Sequence, residues 1–194
     1  LATIGAGLAV ASGSQTALLL YGLYLVVNVS YSLGLKHVAL LDVFLLASYY
    51  LLRALLGCAL LKVQASNWLL LCSYGLALFL ALVKRRADLV AGMGTDHRPA
   101  LEGYNESFLD QAIGIAAAMT IISYALYSRE AAVLMPSRQF AALPFVVFGV
   151  LDVLRLAHVK REGGSAVDMV LRTPALLLAG AGYFLATLWS LRWN

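Results

Sequence analysis

Apolar positions run along this chain in long blocks separated by short polar breaks. Seven blocks stand out, at residues 1–11, 16–32, 38–62, 67–83, 107–127, 140–157 and 174–191, each ended by Gly, Pro, Ser, Asn or a charged residue. They are apolar all round, without the period-2 alternation over about ten residues that a transmembrane strand carries, so they predict helices. A bilayer span takes about 20 apolar residues, and the first block is about half that length, as expected of a span whose beginning is cut away. The predicted fold class is all-α, a polytopic transmembrane helical bundle with seven helices in a single domain over residues 1–194.

Composition agrees with the pattern. The chain is 62% hydrophobic and 12% charged, against about 25% charged in soluble domains. A water-facing surface cannot be built from it, and membrane lipid is its expected surroundings. The net charge is +4, but Lys and Arg sit at the ends of apolar blocks instead of in an aromatic-interleaved patch, which argues against a nucleic-acid partner. Cys58 and Cys72 fall inside apolar blocks, where cysteine acts as a small hydrophobe and implies neither disulfide nor metal. Leu1 is not an initiator methionine and no signal-peptide pattern follows it, so the sequence is expected to start inside a larger protein.

The connections alternate in charge. Those at 33–37, 84–106 and 158–173, with their flanking helix ends, hold Lys36, Lys84, Arg85, Arg86, Arg98, Arg155, Lys160, Arg161 and Arg172. The other set, with the carboxyl terminus, holds Lys62, Arg129, Arg138 and Arg192. Nine against four predicts that the basic connections face the cytoplasm, and the expected location is the cytoplasmic membrane. His37, His97 and His158 lie one per connection, without metal-ligand spacing, and are expected to be solvated or to face headgroups. No Gly-rich phosphate motif, nucleophile elbow or His-Glu-x-x-His pattern occurs.

Ionisable groups inside the blocks narrow the chemistry. Asp42 and Arg53 share one side of the third block about 16 Å apart, too far to pair, so each needs a partner on another helix or a polar ligand. Asp152 and Arg155 are i, i+3 and are expected to pair with each other. Asn28 and Tyr31 lie at the end of the second block with Lys36 just beyond, an amide, a phenol and an ammonium suited to an anion. In the polar stretch 84–110, Lys84 and Asp88 share a helix face at i, i+4, a pairing able to hold phosphate and a divalent cation. Tyr31, Lys36, Lys84, Arg85, Arg86, Asp88, Asp110, Asp152 and Arg155 all converge on the cytoplasmic ends of helices. Topology explains the bases there but not the acids, since acids contribute little to orientation.

These residues resemble the UbiA superfamily of membrane prenyltransferases, nearest the decaprenyl-phosphate phosphoribosyltransferase-like branch. The matching pieces, in order, are Tyr31-Ser32 with Leu35-Lys36, Leu41-Asp42-Val43 through Leu52-Arg53 to Gly57, Asn67-Trp68, Lys84 through Leu89, Leu101 through Tyr104-Asn105 to Leu109-Asp110, Pro144-Phe145-Val146 and Glu162-Gly163-Gly164. The resemblance implies a nine-helix fold, here without its first two helices, and two acidic motifs holding Mg²⁺ on a diphosphate. The first, of the Asn-Asp-x-x-Asp kind, is absent from this sequence, so the fragment alone is expected to be inactive; Arg172 also stands where the branch has an acid. The resemblance implies transfer of phosphoribosyl from phosphoribosyl diphosphate to a polyprenyl phosphate. The alternatives are prenyl transfer from a polyprenyl diphosphate to an aromatic or isoprenoid acceptor, and a non-enzymatic membrane module or carrier. Asp88 is then the metal ligand, with Lys36 and Tyr31 beside it in catalysis. Lys84, Arg85, Arg86, Asn28, Arg53, Asp42, Tyr104 and Asp110 are candidates for substrate binding.

Overall fold

The computed structural model describes residues 14–92, 99–160 and 173–191. Among them are six helices: α1 (Gln15–Leu33), α2 (Leu41–Leu61), α3 (Asn67–Val90), α4 (Glu106–Glu130), α5 (Leu143–Arg155) and α6 (Pro174–Ser190). Their starts follow from local chemistry. Ser14, Ser66 and Asn105 cap α1, α3 and α4 by accepting from Ala17, Leu69 and Phe108 N–H groups, each satisfying a donor the first turn leaves open. Pro144 and Pro174 occupy the first turns of α5 and α6, where proline's missing N–H costs nothing.

The all-α bundle expected from the apolar blocks is what the described residues form. Helices α1 to α4 are each long and apolar enough to cross a membrane, α6 is a shorter apolar helix, and the protein is an integral membrane protein. The block at 1–11 lies outside the described residues, as do His97, Arg172 and Glu162-Gly163-Gly164. Two predicted boundaries move. Helix α3 runs on to Val90 past the expected end at 83, because Arg85, Arg86 and Asp88 are buried in contacts that let the helix continue. The sixth block becomes α5 and a π-helical turn, Leu156–Lys160, after turns that occupy its first residues.

Each helix packs against the next in the chain, from α1 to α6. The core lies between α3 and α4, around Phe79, Leu82, Leu109, Ile113 and Ala116, with Val43 and Ala47 of α2 and Val150 and Val153 of α5 closing it. Small residues permit that approach: a Cβ at Gly75 would sit 3.0 Å from both Met119 and Thr120. Of α1 only Ala17 is buried. The end of the bundle where α2 and α4 begin and α3 and α5 finish carries the buried charges.

Candidate functional site: a polar cavity at the charged end

Successive residues on a helix point about 100° apart, so the basic run on α3 faces three ways. Lys84 is exposed, whereas Arg85 and Arg86 are 4% and 7% exposed and turn to different neighbours. Arg85 is ion-paired through Nε with the wholly buried Asp42 at the start of α2, and its Nη1 lies 3.4 Å from Asp88 Oδ2. Tyr104 completes this group by donating its hydroxyl to Asp42 Oδ1 at 2.7 Å and accepting the Leu40 N–H at 2.6 Å. Burial, reinforced by the bond to Asp42, pushes the Tyr104 hydroxyl well above the ordinary tyrosine range, so it keeps its proton and remains a donor.

Arg86 faces the other way. Its Nε donates to Asp110 Oδ1 at 2.5 Å, and its Nη1 donates to the Ala157 carbonyl at 2.8 Å in the π-helical turn. His158 joins from the same turn, with Nε2 3.1 Å from Asp110 Oδ1 and Nδ1 2.8 Å from the Leu154 carbonyl. This group ties α3, α4 and α5 together. His158 is therefore bonded into the bundle, which its lone position in a connection did not predict, while its side chain stays 32% exposed.

Beside Arg85 and Asp42 opens a polar cavity of about 200 Å³, lined by Tyr31, Lys36, His37, Asp42, Arg85, Ala100 and Leu101. The fold thus gathers four of the candidates, Tyr31, Lys36, Asp42 and Arg85, around one space and adds His37. Tyr104 backs it without lining it, and Asp88 reaches it through Arg85. The remaining candidates lie elsewhere. Asn28 and Lys84 are exposed outside the lining, and Arg86 and Asp110 form the separate group. Arg53 is exposed on α2, with Nη2 3.4 Å from the Tyr24 hydroxyl and its guanidinium over the Tyr24 and Tyr50 rings. Arg53 and Asp42 do find separate partners, as their spacing requires. Asp152 and Arg155 pair with each other at 2.6 Å. A larger space of about 1290 Å³ lies at the opposite end of the bundle, but among the described residues Glu130 is the one charged member of its lining, and no cation faces it there.

The fit to Mg²⁺ is a separate matter. No group of three or more His, Cys, Asp or Glu able to hold a metal occurs among the described residues. Among the described residues Asp88 offers one carboxylate, next to the Arg85 guanidinium whose charge opposes a cation, and Mg²⁺ takes one or two carboxylates only together with waters and substrate phosphates. These residues do not make a magnesium site on their own.

No family model matches the chain. Curated relatives do. A decaprenyl-phosphate phosphoribosyltransferase of Corynebacterium glutamicum is 31% identical over 156 residues, covering 77% of this chain and 46% of that protein. One from Mycobacterium tuberculosis is 31% identical over 160 residues, covering 80% and 52%, and one from Mycolicibacterium smegmatis is 34% identical over 107 residues, covering 54% and 34%. The chain spans about half the length of the first and second of these relatives. Homology over that length places the chain in the UbiA superfamily, beside the decaprenyl-phosphate phosphoribosyltransferases.

Proposed function

We propose that the polar cavity receives the diphosphate of a donor, and that the full-length protein transfers phosphoribosyl from phosphoribosyl diphosphate to a polyprenyl phosphate. The observation that carries this reading is the grouping of Lys36, His37, Arg85 and the Tyr31 phenol around one polar space at the end of a membrane bundle. Arg85 is largely balanced by Asp42 and Asp88, so the charge that draws an anion in comes from Lys36, which lines the cavity and has no acidic partner among the described residues. The cavity is smaller than the roughly 300–1,000 Å³ of pockets that enclose whole ligands, which suits a phosphate-bearing headgroup whose chain stays among the helices or in lipid. An apolar groove of about 350 Å³ between α3, α5 and α6, walled by Phe79, Phe145, Val150 and Val153 among others, has the chemistry to lodge an isoprenoid segment.

In this reaction a phosphate oxygen of the lipid attacks C1 of the ribose. The new C1–O bond forms as the bond to diphosphate breaks, and the leaving diphosphate carries away the electron pair. Lys36 and Arg85 stabilise the charge that gathers on that leaving group, which is where fixed cations lower a barrier most. The excess of bases at this end supports a cytoplasmic orientation for it, the side where a water-soluble sugar diphosphate is met.

Full-length protein in lipid, given labelled phosphoribosyl diphosphate and polyprenyl phosphate, tests the reading. Label is expected to enter the lipid phase. Ribose label that never does so, with label from polyprenyl diphosphate passing to an aromatic acceptor, would establish prenyl transfer instead. Transfer of neither label would leave a non-enzymatic membrane module.

A further inference from the structure

Two connections meet over the polar cavity, and two residues of the second grip the first. Gly103 ends the short turn Pro99–Gly103, and a Cβ built there would lie 2.5 Å from the Cβ of Ala39. The Ala39 methyl has no torsion by which to move aside, so glycine is what lets the two backbones close up. One residue later the Tyr104 phenol reaches the same connection, accepting the Leu40 N–H and donating to Asp42. Leu40 has φ 67° and ψ −46°, an unfavourable conformation for a residue with a Cβ, which persists where neighbours fix it. Lys36 and His37 belong to the turn just before Ala39, closed by His37 N–H to Gly34 and Val38 N–H to Leu35 carbonyls.

We infer that Gly103 and Tyr104 are positioning residues, a latch holding the 34–40 connection so that Lys36 and His37 face an anion in the cavity. The inference rests on the anion-site reading above and deepens it. Gly103 has no side chain to offer a ligand, and the Tyr104 hydroxyl spends both its donor and an acceptor site on the protein. Their effect on binding passes through the placement of the connection. Asp42 feels the same grip, since its carboxylate is shared between Tyr104 and Arg85.

Hydrogen exchange across residues 34–40 and the Kd for inorganic diphosphate, both on the full-length protein in nanodiscs, test this together. Gly103→Ala and Tyr104→Phe are each expected to speed that exchange and raise the Kd about ten- to a hundredfold, the scale of a displaced binding group. Adding Ala39→Gly to Gly103→Ala should restore both readouts, because the new methyl then meets the Ala39 Cα position at 3.9 Å, an ordinary contact. Gly114→Ala, where a Cβ meets nothing within 4 Å, should change neither. Faster exchange with an unchanged Kd would reduce the contact to packing and overturn the positioning role. Unchanged exchange in a wild-type background that binds diphosphate would overturn the latch alone. A wild-type protein that binds no diphosphate would overturn the anion site, and the latch's role with it. If Gly103→Ala does not fold, Tyr104→Phe decides by the same two readouts.

Discussion

Arg85 and Arg86 are neighbours in sequence, equally buried, and engaged in opposite tasks. Arg85 looks toward α2, where Asp42 and Tyr104 hold it at the wall of an open polar cavity. Arg86 looks toward α4 and α5, where Asp110 and the Ala157 carbonyl take its donors, and it is not in the lining of the cavity beside Arg85. A single helical step of about 100° separates a guanidinium that can reach a ligand from one that joins three helices. Burial and charge alone therefore do not mark a binding residue. What distinguishes Arg85 is the space beside it and Lys36 in the same lining, which has no acidic partner among the described residues.

The largest expected effect comes from removing the anchor of the first arginine. Asp42→Ala leaves a buried guanidinium short of its main partner and should cost about 3–5 kcal/mol of stability, read as a lowered unfolding midpoint in detergent. A loss within experimental error would mean that Arg85 is not held as described. Asp110→Asn acts on the second arginine. It weakens the bond to Arg86 and the contact to His158 together, and should cost about 1–3 kcal/mol, with the diphosphate Kd of the folded protein unchanged. A variant that keeps its stability and loses affinity would erase the contrast between the two arginines. Lys84→Ala, on the exposed face of the same helix turn, should stay within about 0.5 kcal/mol of wild type. A large destabilisation there would give Lys84 a structural contact as strong as its neighbours'.

Much of the bundle was legible in the sequence because apolar blocks near span length leave the backbone few options besides helix. The cost of a charge in the membrane also announced that Asp42 needed a partner from another helix or a polar ligand. It could not say which one, since Asp42 and Arg85 lie 43 residues apart and meet through the packing of α2 on α3. The end of α3 was misplaced for a related reason. A basic run normally marks where a span leaves the membrane, yet here two of its three bases are buried at a helix crossing and the helix continues to Val90. His37 was passed over as one more solvated histidine, although its place next to Lys36 in a short connection was a usable signal. His158 carried no such signal: its bonds to Asp110 and Leu154 depend on a π-helical turn that no sequence period predicts. Tyr104 stood out through the family resemblance alone, and its bonds to Leu40 and Asp42, each more than 60 positions away, required the fold.

The central claim, that the cavity beside Arg85 holds a phosphate-bearing anion, is tested most directly by titrating inorganic diphosphate into full-length protein carrying Lys36→Ala or Lys84→Ala. Both lysines are exposed and basic, and they differ in that Lys36 lines the cavity. Lys36→Ala is expected to raise the Kd by about tenfold or more, the worth of one charge-assisted contact, while Lys84→Ala leaves it within about twofold. Equal losses in the two variants, or a loss confined to Lys84→Ala, would contradict the assignment.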